Sequence, residues 1–199
     1  MRADAIVFGI AGSLFGLIIG WVLGSQQAAG TARATAPVAQ SAPAQQQAQA
    51  PQAAPIDPAR VKALEATAAQ NPKDVQARVQ LGNVFFDGEQ YPQAIKWYEE
   101  ALVLNPKDTN VSTDLGVAYY YTNQADRALA QFDRSLAIDP KHVKTLLNVG
   151  IVRAFGKQDL AGAGKAWQQV VEIAPDSPEG QAAKKGLEGI RSASGDGGK

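Results

Sequence analysis

Residues 71–108 read "NPKDVQARVQLGNVFFDGEQYPQAIKWYEEALVLNPKD", a stretch that opens and closes on Asn-Pro. Pro72 and Pro106 are 34 residues apart, and Pro140, in an Asp-Pro pair, lies 34 further on. A second mark keeps step with the first. Leu81-Gly82 and Leu115-Gly116 recur, and Val149-Gly150 stands where the third copy is due. The sequence from Asp57 onward is charged, amphipathic and rich in helix formers. A fixed period of this length is the signature of one supersecondary unit copied several times. The predicted unit is a pair of helices joined by a turn.

The residues at fixed places in the period resemble the tetratricopeptide-repeat (TPR) family. With Val75, Thr109 and Val143 as repeat starts, the seventh and eighth positions are Leu81-Gly82, Leu115-Gly116 and Val149-Gly150. The eleventh holds Phe85 and Tyr119, the twentieth Ala94 and Ala128, and the twenty-fourth Tyr98 and Phe132. Ala101 and Ser135 follow, then Pro106 and Pro140. The third copy departs. Arg153 replaces the eleventh aromatic, and Ala163, Trp167 and Pro175 match only after a one-residue insertion, Pro140 to Pro175 being 35. The insertion is expected between Arg153 and Ala163, in or beside the turn "GKQDLAG", because a turn absorbs a residue without rotating an apolar face. The fourth position carries Arg78, Ser112 and Leu146 instead of the family's tryptophan. Glycines and alanines are expected where paired helices cross closely, and aromatics between successive pairs. Stacked pairs also need their ends covered.

Outward from the repeats, "DPARVKALEATAAQNP" looks like a capping helix with Pro58 in its first turn. "SPEGQAAKKGLEGIR" looks like a closing one, with Ser177 as N-cap. Further towards the N-terminus, "AIVFGIAGSLFGLIIGWVLG" carries no charge from Ala5 to Gly24. About 20 residues of helix span roughly 30 Å, the thickness of a bilayer core. A cleaved signal peptide is the rival, although its apolar region is usually shorter. Arg2 before the span, against Arg33 as the first cation beyond it, weakly places the N-terminus in the cytoplasm. Gly12, Gly16, Gly20 and Gly24 share one helix face, a groove suited to close packing by another membrane helix. Between span and repeats the chain is mostly Ala, Gln, Pro and Thr, as in "APVAQSAPAQQQAQAPQAAP", and cannot bury enough to fold.

The expectation is an all-α fold: a TPR α-solenoid of three helix-turn-helix repeats with capping helices, behind a single N-terminal transmembrane helix. The segments are 1–4, a cytoplasmic stub; 5–24, the membrane helix; 25–56, a disordered linker; and 57–72, a capping helix. The repeats are 73–106, 107–140 and 141–175, followed by a closing helix at 176–191 and a disordered tail at 192–199.

Composition removes most chemistry. The 199 residues include no cysteine and one histidine, so thiolate metal sites, disulfides and cysteine nucleophiles are excluded. Net charge is +0, which offers no global field for nucleic acid. His142 is expected in a solvated loop, and the carboxylates Glu99-Glu100 on a solvated helix exterior. "AGAGKA" at 161–166 lacks the first glycine and the Ser or Thr of a phosphate loop. Asn110-Val111-Ser112 matches the glycosylation pattern, which arises readily by chance. No enzyme and no cofactor are expected.

The family resemblance implies a concave groove lined by the first helices. Its residues would be Val79, Asn83 and Phe86, then Thr113, Val117, Tyr120 and Tyr121, then Lys144, Leu147 and Ile151. Tyr119 belongs to the core, whereas Tyr120 and Tyr121 should face the groove. A TPR subtype clamps a C-terminal carboxylate. Here Asn83, Lys144 and Asn148 stand near its positions, but Val79 and Asp114 do not fit it. The implied function is a non-catalytic, membrane-anchored scaffold that binds a peptide or protein segment and aids assembly of a complex. Its layout is similar to TPR accessory factors of c-type cytochrome maturation. The expected location is a bacterial inner membrane, with the repeats periplasmic. The alternative is a structural component that forms homo-oligomers, or pairs with a partner helix, through the glycine face.

Overall fold

A computed structural model describes residues 53–193. The expected membrane helix with Gly12, Gly16, Gly20 and Gly24, most of the linker, and residues 194–199 lie outside that range. Among the described residues no helix is long and apolar enough to cross a membrane.

Eight α-helices follow one another, with no strand among the described residues. They are α1 (Pro58–Gln70), α2 (Val75–Asp87), α3 (Tyr91–Leu104), α4 (Thr109–Tyr121), α5 (Ala125–Ile138), α6 (Val143–Ile151), α7 (Leu160–Ile173) and α8 (Pro178–Ala193). Each packs on the next in chain order, and α4 also touches α6. The result is a one-dimensional stack of hairpins with short connections.

Local chemistry sets the starts and stops. Asp74, Asp108 and Asp159 accept the backbone N–H three residues on, from Ala77, Val111 and Gly162. Asp57 caps α1 through Ala59, and Ser177 caps α8 through Gly180. These acceptors satisfy donors that a helix start leaves bare. The turns inside the hairpins pass through left-handed residues Glu89, Asn123 and Gln158, with φ of 56°, 61° and 56°.

Those three residues locate the insertion. Glu89 to Asn123 is 34 residues and Asn123 to Gln158 is 35. The extra residue therefore precedes Gln158. It lies where α6 widens into a π-turn over Val152–Gly156, at the helix end rather than in the connecting turn. This is beside the turn "GKQDLAG", as expected, although the helix end and not the turn itself takes up the residue. A single π-turn takes up one residue within a helix, and at the last turn no apolar face downstream is rotated.

The core has one recurring contact. Gly82 faces the ring of Tyr98, Gly116 that of Phe132, and Gly150 that of Trp167. A methyl group at any of these glycines would sit less than 3.0 Å from ring carbons. The twenty-fourth-position aromatics thus pack inside each hairpin, not between hairpins as expected. The space between hairpins is filled by the eleventh-position rings. Phe85 packs with Ala68, Ala77 and Leu81, and Tyr119 joins the central core with Leu115 and Val149. Trp167 also donates through Nε1–H to the Leu147 carbonyl at 3.1 Å and packs on Gly186 of α8.

The fourth positions find three different solutions. Arg78 pairs with Glu100 at 3.4 Å, Ser112 accepts from the Gln131 amide at 2.8 Å, and Leu146 joins the apolar core. Glu99 is exposed on a helix exterior, as expected, and also has partners. It accepts from the Tyr119 hydroxyl and pairs with Arg127.

Two boundaries shift. The last linker residues are ordered: Ala54 donates its N–H to the Asp87 carbonyl at 2.9 Å, and the Ile56 side chain covers Gly88. At the other end α8 runs through Ala193, two residues into the expected tail.

Gly116→Ala is expected to lower stability by about 1–3 kcal/mol, the usual range for overpacking a core. Phe132→Leu in the same chain should recover part of that loss. Urea unfolding of the two variants beside the parent checks both statements.

Candidate protein-binding groove

The first helices of the three hairpins, α2, α4 and α6, carry the expected groove residues. Each residue of an α-helix turns about 100° from the last, so positions 5, 9 and 12 of each repeat fall on one face. Val79, Phe86, Val117, Tyr120, Leu147 and Ile151 are half-buried, packed at their bases against the core with their outer parts in solvent. Asn83 is exposed, and its Oδ1 accepts from the Tyr98 hydroxyl at 2.8 Å, which leaves its amide N–H groups to donate outward. Tyr121 is 57% exposed.

Thr113 is a correction. It is 0% exposed and cannot touch a ligand. Its hydroxyl donates to the Thr109 carbonyl at 2.7 Å and meets Thr145 Oγ1 at 2.6 Å. Ser135 joins the same cluster, 3.0 Å from Thr145. The first turn of α6, which carries Thr145, closes over this position. His142 is a second correction, since it is not a solvated loop residue. It precedes α6 where Asp74 and Asp108 precede α2 and α4, and it makes no backbone cap. Instead its Nδ1 lies 2.6 Å from Thr145 Oγ1 and its Nε2 lies 3.2 Å from Asn110 Oδ1.

Lys144 donates to Asp114 across α6 and α4 at 2.6 Å. This pair answers the sequence's doubt about a carboxylate clamp: the lysine's charge is already engaged. Asn148 donates to the Lys144 carbonyl. Asn110 stays exposed at the start of α4, while Val111 and Ser112 of the same tripeptide are buried. "AGAGKA" lies inside α7 and makes no loop.

One contact was not legible in the sequence. Tyr91, at the start of α3, stacks on Tyr121 with ring centroids 4.6 Å apart and planes 9° from parallel. Phe86 meets both rings at their edges, at 5.4 Å and 6.2 Å. The next copy has Ala125 where Tyr91 stands, so the period itself could not reveal Tyr91. A large aromatic out of step with the period was the available signal.

Burial dominates the titration of these phenols. It pushes Tyr91 up to about 12, helped by the nearby Glu89 carboxylate and by Tyr121. Burial also raises Tyr119 to about 12, helped by Glu99, and raises Tyr98 and Tyr120. Among the described residues no cluster of three or more His, Cys, Asp or Glu side chains is placed to hold a metal ion. The surface offers apolar area, aromatic rings and a few amide and carboxylate groups, the ingredients of a protein contact.

Two outcomes follow for stability. Thr113→Val should cost about 1–3 kcal/mol in urea unfolding, because Thr145 and Ser135 lose a buried partner. The triple change Thr113→Val, Ser135→Ala and Thr145→Val should cost less than the sum of the three single changes, since the hydroxyls leave together and only His142 Nδ1 loses its partner. In the pH dependence, an unfolded tyrosine releases its proton near 10.0, while Tyr91 and Tyr119 hold theirs to about 12. Their contribution is complete below about 10 and is lost as pH rises from there towards 12. The urea midpoint should fall across that window.

The comparisons with known proteins agree with the geometry. The family model described as TPR repeat matches residues 82–122, and that described as tetratricopeptide repeat matches 113–178. No protein of curated function matches the chain in sequence. Among solved structures it is similar to MamA, at 18% identity, over 69% of this chain and 78% of that one, with a TM-score of 0.63. It is similar to the first TPR of Spaghetti (RPAP3) bound to the HSP90 peptide SRMEEVD, at 22%, over 70% and 97%, with a TM-score of 0.53. The Yersinia enterocolitica type III secretion chaperone SycD, in complex with a peptide of the translocator YopD, gives 19%, 60% and 94%, with a TM-score of 0.56. At these identities the likenesses show the fold. The two family models, with the 34-residue period and the glycine–aromatic contacts, place residues 82–178 of this chain in the tetratricopeptide-repeat family.

Proposed function

We propose that this chain is a non-catalytic scaffold that binds a peptide or protein segment along α2, α4 and α6 and aids assembly of a protein complex. The carrying observation is the half-buried row Val79, Val117, Leu147 and Ile151, ending at an aromatic group with Tyr121 57% exposed. Such a row offers a partner apolar area whose own side chains are already held in place by packing. Tyr suits this use, because it brings large contact area and a hydroxyl for few rotatable bonds. Two neighbours of the same fold are peptide complexes, RPAP3 with an HSP90 peptide and SycD with a YopD peptide. They support the kind of function, not the identity of the partner.

The membrane part of the reading rests on residues 5–24 alone. Their uncharged length suits a bilayer span. The single cation before them, Arg2, favours a periplasmic repeat domain. The Ala/Gln/Pro-rich stretch that follows would then let the repeats search for partners near the membrane surface.

The test is crosslinking in native membranes followed by mass spectrometry, on the parent and on Asn83→Ala with Tyr120→Ala. We expect the chain to sediment with membranes and to crosslink to a second protein, with the crosslink reduced about tenfold in the variant. A crosslink unchanged by the variant removes the groove from the function. Crosslinks confined to copies of this chain would favour self-association instead. Recovery in the soluble fraction would end the anchoring part.

A further inference from the structure

Charge is unevenly spread along the groove. The lysine on its floor, Lys144, is closed onto Asp114 at 2.6 Å. Asp87, at the end of α2, and Glu89, in the turn after it, are exposed and take no part in an ion pair among the described residues. They flank the aromatic group: Phe86 precedes Asp87, and Tyr91 follows Glu89 by two residues. Glu89 lies close enough to Tyr91 to help hold its phenol protonated. Tyr91 stacks on Tyr121, and the Phe86 and Tyr120 rings lie 6.2 Å and 6.0 Å from it, yet Tyr121 is still 57% exposed. An exposed tyrosine near two unpaired carboxylates, at one end of an apolar row, is a polarised surface.

We propose that the segment bound in the groove carries a lysine or arginine next to apolar side chains. This deepens the scaffold reading above and rests on it. The cation sits near Asp87 and Glu89 at the exposed part of Tyr121, while the apolar side chains lie along Val117 and Leu147. The physical case has three parts. A cation over a tyrosine face is attracted by the ring quadrupole, and Arg does this best. The methylene stem of Lys or Arg is itself apolar and continues the row. An acidic segment meets the reverse situation: two unpaired carboxylates repel it, and the floor cation is already engaged by Asp114. Charge complementarity of this kind sets partner choice more than total affinity.

The full chain in detergent is panned against a random peptide display library. Binders that depend on the groove are those weakened by Asn83→Ala with Tyr120→Ala. We expect these to be enriched in Lys or Arg beside aromatic or branched apolar residues. Their affinity should fall about five- to tenfold on reversing both charges, Asp87→Lys with Glu89→Lys, and should fall as salt is raised. The acidic probe SRMEEVD should not bind the parent. The neutral pair Asp87→Asn with Glu89→Gln, read in parallel, should give a smaller loss in the same direction and covers the case of a misfolded reversal. Groove-dependent binders that are acidic, lack basic enrichment, or ignore both pairs of substitutions would overturn the charge preference and leave the scaffold reading standing. If no binder depends on the groove, both fall.

Discussion

The bare α-carbon of a glycine lying against an aromatic ring is the contact on which this molecule depends. It occurs once in each hairpin, between Gly82 and Tyr98, Gly116 and Phe132, and Gly150 and Trp167. Each brings a first helix closer to its second than any side chain would allow. The rest of the repeat is arranged around that seam. Positions 4, 7 and 11 lie on one flank of the glycine and positions 5, 9 and 12 on the other. The first flank turns inward: Leu81, Leu115 and Val149 are buried at every seventh position. The second flank is what remains for a partner. The groove is therefore a consequence of the seam and needs no separate design.

Repetition at the level of shape does not require repetition of chemistry. Between the first and second hairpins, Val79, Ala101 and Val111 stand where Thr113, Ser135 and Thr145 stand between the second and third. Val and Thr share a branched outline, and Ala and Ser differ by one oxygen. At the first junction these three side chains are held by packing alone, and the polar contacts across it lie elsewhere, from Glu99 to Tyr119 and Arg127. The polar one must pair every hydroxyl, and it does so: among the described residues no buried side-chain polar atom lacks a partner. His142 completes that network at the place where the earlier repeats use an aspartate cap. Hydrogen bonds have directions and lengths that dispersion contacts lack, so the second junction is the more tightly specified of the two.

The sequence made the seam legible because it demands particular residues at particular places. Only glycine suits positions 82, 116 and 150, and only a large ring fills the facing space. The groove was less legible, for a physical reason. Periodicity says which face of a helix a residue occupies, but not whether a neighbouring element covers it. Val79, Thr113 and Leu147 are equivalent by position, yet only Thr113 is fully buried, its hydroxyl drawn in against Thr109 and Thr145. His142 was misplaced for a related reason. A loop position looks solvated until side chains of the next turn and of a neighbouring helix, here Thr145 and Asn110, come within reach. Tyr91 escaped because it belongs to one repeat and not to the pattern.

The third hairpin shows how much the pattern can bend while the seam is kept. It has an extra residue and has lost its eleventh-position ring. Arg153 stands there and donates to Asp159 at 2.7 Å, while Asp159 also caps α7 through Gly162. Those two bonds, the Gly162 amide first and the guanidinium second, hold the Asp159 carboxyl below its ordinary pKa. A ring at position 11 fills the gap to the adjacent hairpin. Arg153 instead bonds to the turn of its own hairpin, so here the side chain's work has moved from packing to fastening the connection. The extra residue is spent in the π-turn at the end of α6, beyond Gly150, so the Gly150–Trp167 contact is undisturbed. α8 then meets Trp167 on its other side with a glycine of its own, Gly186. One ring between two glycines ends the stack by the same close approach that builds it.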